Sequence, residues 1–239
     1  MIKTNDLKQL FFVILSILCI GCVSKSEEDS TNFKYLKFSE NILNYHITPK
    51  EKFDKSGLMF SDQGAWFAYS FPDSISNLTG FSGPFLMTQQ NGVWSSASLS
   101  NLVIDNNVWT SHSSISYNSH LEQTFKSDHL ELKQELVFSS GHTAIIKSTL
   151  KNNSQSDKKI TYHFKNESLL ADGLKLSTDK NKLVINSSKT DAIGHILFPN
   201  EIVLNSTDST YTSNIISIEL KPNETKEFII SQSFRVFLE

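Results

Sequence analysis

Apolar residues along most of this chain recur at every second position with polar residues between them, the signature of half-buried β-strands. The clearest run places Ile160, Tyr162 and Phe164 on one face and Thr161, His163 and Lys165 on the other. In HLELKQELVF, Leu130, Leu132, Leu136 and Phe138 share a face that only Gln134 interrupts. Gly141 then predicts a turn, and Thr143 to Leu150 a returning strand. KNNSQSDKK, from Lys151 to Lys159, reads as a polar loop. Short strands follow at Leu174 to Ser177, Leu183 to Ile185, Ile196 to Phe198 and Ile202 to Leu204, at spacings usual for sandwiches. Ile215 to Leu220 and Phe228 to Phe237 close the series, with Phe228, Ile230, Phe234 and Val236 on one face.

The first half alternates less cleanly. Phe33 to Phe38 reads as a strand with a slip at Leu36, and Lys50 to Gly57 as a loop. Leu58 to Ser70 alternates imperfectly around Gly64, and Phe85 to Thr88 is a short apolar run. Val93 to Ile104 follows, with Asp105-Asn106-Asn107 as a turn before Val108 and Trp109. No stretch keeps a helical period over three turns, and no fixed-length repeat appears. The expected fold is all-β: a large, supersandwich-like antiparallel β-sandwich with almost no helix.

Composition sharpens this in two ways. With 17 Phe, 6 Tyr and 3 Trp, the chain has ample material for a core. The formal charge of −3 and the lack of a basic stripe give nucleic-acid binding no electrostatic footprint. No P-loop or nucleophile elbow is present, so no cofactor is expected. Seven histidines are scattered without metal-ligand spacing, so no metal is expected either. His112 and His120 are placed to face each other across strands, which is fewer ligands than a metal site needs.

The front of the chain has a different character. Lys3 and Lys8 precede an 11-residue apolar run, Leu10 to Ile20, too short to span a bilayer, which takes about 20 residues. It suits the apolar core of a signal peptide. Gly21-Cys22 at its end resembles a bacterial lipobox, although Cys19 stands where leucine is usual. Residues 1–21 are therefore read as a lipoprotein signal peptide and Cys22 as the lipidated first residue of the mature chain. One acyl chain anchors marginally, whereas two or more hold firmly. Residues 22–32 are polar and aperiodic, a disordered tether leading to a sandwich over 33–239. Their Lys25-Ser26-Glu27-Glu28-Asp29 cluster resembles the export signal of surface lipoproteins in the Bacteroidetes. The expected location is the bacterial outer membrane, on its periplasmic or cell-surface face, with the membrane reached through the lipid.

One stretch stands out. Phe60 to Pro84, FSDQGAWFAYSFPDSISNLTGFSGP, gathers Gly64, Gly80, Gly83, Pro72, Pro84 and Trp66. Glycine admits positive φ or close approach and proline ends ladders, so the run reads as a shaped loop between strands. Phe60-Ser61-Asp62-Gln63-Gly64-Ala65-Trp66, Phe71-Pro72-Asp73, Gly80-Phe81-Ser82-Gly83 and Leu86-Met87-Thr88 together resemble the N-terminal β-sandwich of bacterial glycoside hydrolase family 63, relatives of processing α-glucosidase I. Ser74 stands where that family's turn has glycine, and Thr79 replaces the first glycine of the later element. The resemblance is most specific over roughly 58–104.

In that family the sandwich precedes an (α/α)6 barrel that carries the catalytic Asp and Glu. The resemblance thus implies a non-catalytic sandwich, inactive alone, whose barrel acts in trans or has been lost. It assigns Asp62, Gly64, Trp66, Asp73, Gly80, Phe81 and Gly83 to an interface or the wall of a sugar pocket. Asp62 is expected to fix its loop by accepting backbone N–H bonds. Trp66, Phe67, Phe71 and Phe81 are expected to cluster at one end of the sandwich, at least two of them exposed. The other reading is a stand-alone surface lipoprotein that binds an oligosaccharide or a partner protein, with Trp66, Trp94 and Trp109 as platforms for a sugar.

Overall fold

The computed structural model describes residues 40–54, 56–73, 79–88 and 92–236. Cys22, the tether and the strand expected at Phe33 to Phe38 lie outside them. The strands are β1 (Phe67–Ser70), β2 (Ser82–Thr88), β3 (Gly92–Ser96), β4 (Asn101–Ile104), β5 (Ser111–Ser116) and β6 (His120–Lys126). Then come β7 (Leu130–Ser140), β8 (Thr143–Asn152), β9 (Lys158–Lys165), β10 (Leu169–Leu170), β11 (Leu174–Asp179) and β12 (Lys182–Ser187). The last are β13 (Ala192–Leu197), β14 (Leu204–Ser206), β15 (Tyr211–Ser213), β16 (Ile216–Leu220) and β17 (Thr225–Val236). No helix occurs among the described residues.

An eight-stranded sheet in the order β11-β12-β13-β17-β8-β7-β6-β5 forms one layer. Against it lie a four-stranded sheet, β1-β2-β3-β10, and a five-stranded one in which β9 joins β4, β15 and β16. Aromatic contacts tie the layers. Phe67 of β1 packs 4.9 Å from Phe234 of β17 and 5.2 Å from Phe138 of β7. Tyr162 of β9 meets Phe228 of β17 at 4.8 Å. Alternation puts these side chains inward. On β9, Ile160, Tyr162 and Phe164 are buried, as their period predicts, and each such aromatic removes a large apolar area from water. The chain is an antiparallel β-sandwich.

Gln134, the break in the β7 pattern, is buried with its apolar neighbours. It is tolerable there because its amide is fully used. Gln123 of β6 donates to its Oε1 at 2.9 Å, and its own Nε2 donates to Ser148 Oγ at 3.0 Å and to the Thr79 carbonyl at 3.2 Å. Gln123, Gln134 and Ser148 sit opposite one another in register across β6, β7 and β8. A buried amide with its partners costs little, whereas the same group unpaired is expensive.

Three expectations need correction. Leu58 to Ser70 is not one irregular strand: Phe60 bridges Tyr69 antiparallel, and Gly64 lies in the turn between them. His112 and His120 do not face each other, since His112 pairs with Phe125 and His120 with Val137. Ile202 lies in a turn, its N–H bonded to the Pro199 carbonyl, and the strand starts two residues later. Strands β5 and β6 had no clear apolar period because β5 is a polar edge strand and Gln123 occupies a buried position on β6.

Candidate functional site

The Asp62–Ala65 tip is a tight turn. The Ala65 N–H donates to the Asp62 carbonyl at 3.0 Å, with φ of 54° at Gln63 and 71° at Gly64. Two successive positive φ values define a type I′ hairpin turn, whose twist matches the flanking pair. The Asp62 carboxylate accepts the Gln63 N–H at 2.7 Å, so it fixes the turn as expected. Gln63 and Gly64 are exposed, and Trp66 is half-buried with its ring 6.4 Å from Phe67. The tip lies against the β7–β8 turn: a Cβ on Gly141 would come 3.1 Å from the Gln63 carbonyl.

The rest of the stretch behaves differently. Asp73 is exposed and clasps Thr48: its carboxylate accepts the Thr48 N–H at 2.8 Å, and its own N–H donates to Thr48 Oγ1 at 3.0 Å. Gly80 is buried, and a Cβ there would lie 2.4 Å from Ser98 Oγ. Gly83, at φ 127°, has Tyr69 and the Ala68 carbonyl within 3 Å of where a Cβ would be. Phe67, Phe71 and Phe81 are 1–2% exposed. The expected exposure of at least two of the four aromatics is therefore not met; only Trp66 is accessible in part. The cause is that β1 and β2 belong to the second layer of the sandwich, and Phe67 on β1, with Phe71 and Phe81 in the residues flanking the two strands, is buried in the core.

Two clusters of ionisable groups are satisfied internally. His46 Nε2 shares a hydrogen bond with Ser114 Oγ at 2.9 Å, and His112 Nε2 with Gln123 Oε1 at 3.1 Å. Burial lowers the pKa of both imidazoles; Asp73 opposes this for His46 and Gln123 for His112. On the outer face, His120, Glu122 and Glu135 bring ligand atoms close enough together to hold a cation. Lys133 already lies 2.9 Å from Glu122 and 3.2 Å from Glu135. Burial opposes its charge, but the two carboxylates outweigh that and raise its pKa. Its single ammonium bridges the two carboxylates and offsets one of their two charges.

The open surface lies elsewhere, around the turn after β4. The Asp105 N–H donates to the Thr161 carbonyl at 2.9 Å and ties the turn to β9, while Asn106 adopts φ 58°. One cleft of about 360 Å³ on this turn is lined by Asp105, Asn107, Val108, Trp109 and Lys165 among others. A second, of about 350 Å³, shares the turn and is lined also by His129, Lys158, Lys159 and Thr161. His163 Nδ1 approaches Asp105 Oδ1 at 3.2 Å, though without hydrogen-bond geometry. The Asn107 side-chain nitrogen is buried without a hydrogen-bond partner. The turn was legible from Asp-Asn-Asn, but nothing in the sequence signalled an opening beside it.

Residues 41–190 match the family described as "Glucosidase YgjK, N-terminal". No curated protein matches the chain significantly. Among solved structures, a human-microbiome protein assigned as a kojibiose phosphorylase is similar at 7% identity and a TM-score of 0.49, over 73% of this chain and 29% of its own. The protein Slr1438 of Synechocystis gives 10% identity and 0.48, over 82% of this chain and all of its own. The heparan sulfate lyase HepC of Pedobacter heparinus gives 10% and 0.45, over 77% of this chain and 37% of its own. The chain thus spans about a third of the phosphorylase and of the lyase.

Proposed function

The chain belongs to the family of glucosidase YgjK N-terminal domains, and on that premise we propose that it serves a glycoside hydrolase as a non-catalytic sandwich that packs on an (α/α)6 barrel and shapes its sugar pocket. The family match carries this reading, because it runs through the whole of Phe60 to Pro84. The contact assigned is the Asp62–Trp66 tip. Gln63 is a non-glycine residue held at positive φ, at a cost of roughly 1–2 kcal/mol, and such outliers cluster at functional sites. Its exposure beside a half-buried Trp66 leaves polar and aromatic groups for a partner surface. Gly80, Phe81 and Gly83 act from beneath as the frame, and Asp73 holds the segment to Thr48.

The test has two arms. The purified chain should not hydrolyse α-glucosides, and a barrel of the same family supplied in trans should co-elute with it. The double variant Asp62→Arg, Gln63→Gly should weaken that association by roughly tenfold, as loss of a central contact does, with the fold retained. Turnover by the chain alone, abolished by a substitution within it, would refute the proposal.

The location belongs to the same proposal. Acylation of Cys22 would anchor the domain to the outer membrane, on its periplasmic or cell-surface face. Mass spectrometry of the mature N-terminus decides this: a free amino group at Val23 or Ser24, or a retained Met1, contradicts it. A second reading, a stand-alone surface lipoprotein binding glycan or a partner protein, is favoured by one observation, the open cleft beside Trp109.

A further inference from the structure

We propose that the cleft between the Asp105–Asn107 turn and Trp109 binds a neutral oligosaccharide, independently of any contact made by the Asp62–Trp66 tip. The inference rests on the carbohydrate reading of the family for its ligand class, and on the geometry for its place.

Of the three tryptophans, Trp94 is buried and Trp66 sits beside the tip, whereas Trp109 is half-buried on the cleft wall. Its ring is held 6.0 Å from that of Phe125 on β6. An aromatic backed in this way presents a fixed apolar surface and loses little entropy when a flat ligand stacks on it. One face of a pyranose carries mainly C–H groups and its rim carries hydroxyls. A site for it needs an aromatic plane ringed by mixed donors and acceptors. Asp105 supplies an acceptor and Asn107 both kinds of group. The Asn107 side-chain nitrogen is a buried donor with nothing to donate to, which a native structure seldom leaves without a reason. A rotation of the Asn107 side chain, which lines the cleft, would bring that donor out to a sugar hydroxyl.

The charge points to a neutral ligand. Lys165, the cation on this wall, is paired with Glu167 at 2.7 Å. No cation lining this cleft is left free for a sulfate or a uronate. The volume, about 360 Å³, lies near the lower end of the roughly 300–1,000 Å³ usual for ligand sites, enough for one or two sugar rings.

The experiment titrates the full chain with maltotriose, isomaltotriose, cellotriose and xylotriose, with a heparin tetrasaccharide as the charged control. Binding is followed by calorimetry and by the indole N–H resonances of the three tryptophans. At least one neutral trisaccharide should bind saturably and shift the Trp109 resonance. Trp109→Ala should weaken binding roughly tenfold or more, and Asn107→Ala several-fold. Trp66→Ala should leave it unchanged, which separates this site from the tip and its partner. Should Trp109→Ala unfold, Asn107→Ala and the resonance shifts in the unaltered chain still decide the matter. No saturable binding up to about 10 mM, a shift at Trp66 alone, or binding only of the heparin fragment would each overturn the proposal.

Discussion

The Phe60–Pro84 stretch and the Ile104–Trp109 turn make an instructive pair. The first is dense in glycine, proline and aromatics, and most of it is cramped: Gly80 and Gly83 have no room for a Cβ, and Phe67, Phe71 and Phe81 are buried. The second has no glycine or proline, and it borders the two clefts. Glycine marks places where the backbone comes close to something, and in a folded domain that is most often its own second layer. The clefts border a turn of ordinary polar residues that is tied to β9 through the Asp105 N–H.

If that contrast is right, the largest effect belongs to the core side of the first region. Phe81→Ala should cost about 3–5 kcal/mol in urea unfolding, the range for truncated core aromatics. A loss under about 1 kcal/mol, within the range of surface substitutions, would return Phe81 to the surface and break the comparison.

A smaller loss should follow acidification. His46 and His112 are held neutral, their pKa values lowered chiefly by burial, so the unfolded chain binds protons more readily than the native one. Their contribution is complete above the unfolded imidazole value of about 6.5 and is lost as pH falls through the lowered native values. Urea midpoints at pH 5 should thus lie below those at pH 7.5, and His112→Gln should narrow the gap. An equal or higher midpoint at pH 5 would show that the imidazoles are not held neutral.

The smallest effect should come from the cleft rim. Val108, 72% exposed, should tolerate replacement by serine within about 0.5 kcal/mol, as exposed positions do. A cost above about 1 kcal/mol would mean that the rim is part of the core and that the two regions differ less than they appear.

Much of the sandwich was legible in the chain. The period over Ile160 to Phe164 and over Leu130 to Phe138 determined both the strand type and the inward face, because side-chain direction alternates with every residue. The D-Q-G-A run marked a sharp feature, and glycine's tolerance of positive φ placed it in a turn once Phe60 was seen to pair with Tyr69. Strands β5 and β6 escaped because an edge strand and a buried glutamine carry no apolar period, and register alone decides that Gln123 meets Gln134.

By itself, then, the sequence determined the class of fold, through alternation, several turns, through local backbone preference, and the family, through the motifs of the Phe60–Thr88 stretch. Tertiary structure alone decided that Phe81 faces inward, that Lys133 bridges Glu122 and Glu135, and that Trp109 borders a cleft. Those outcomes depend on which residues distant in the chain come to lie within a few ångströms, and no local pattern encodes that distance.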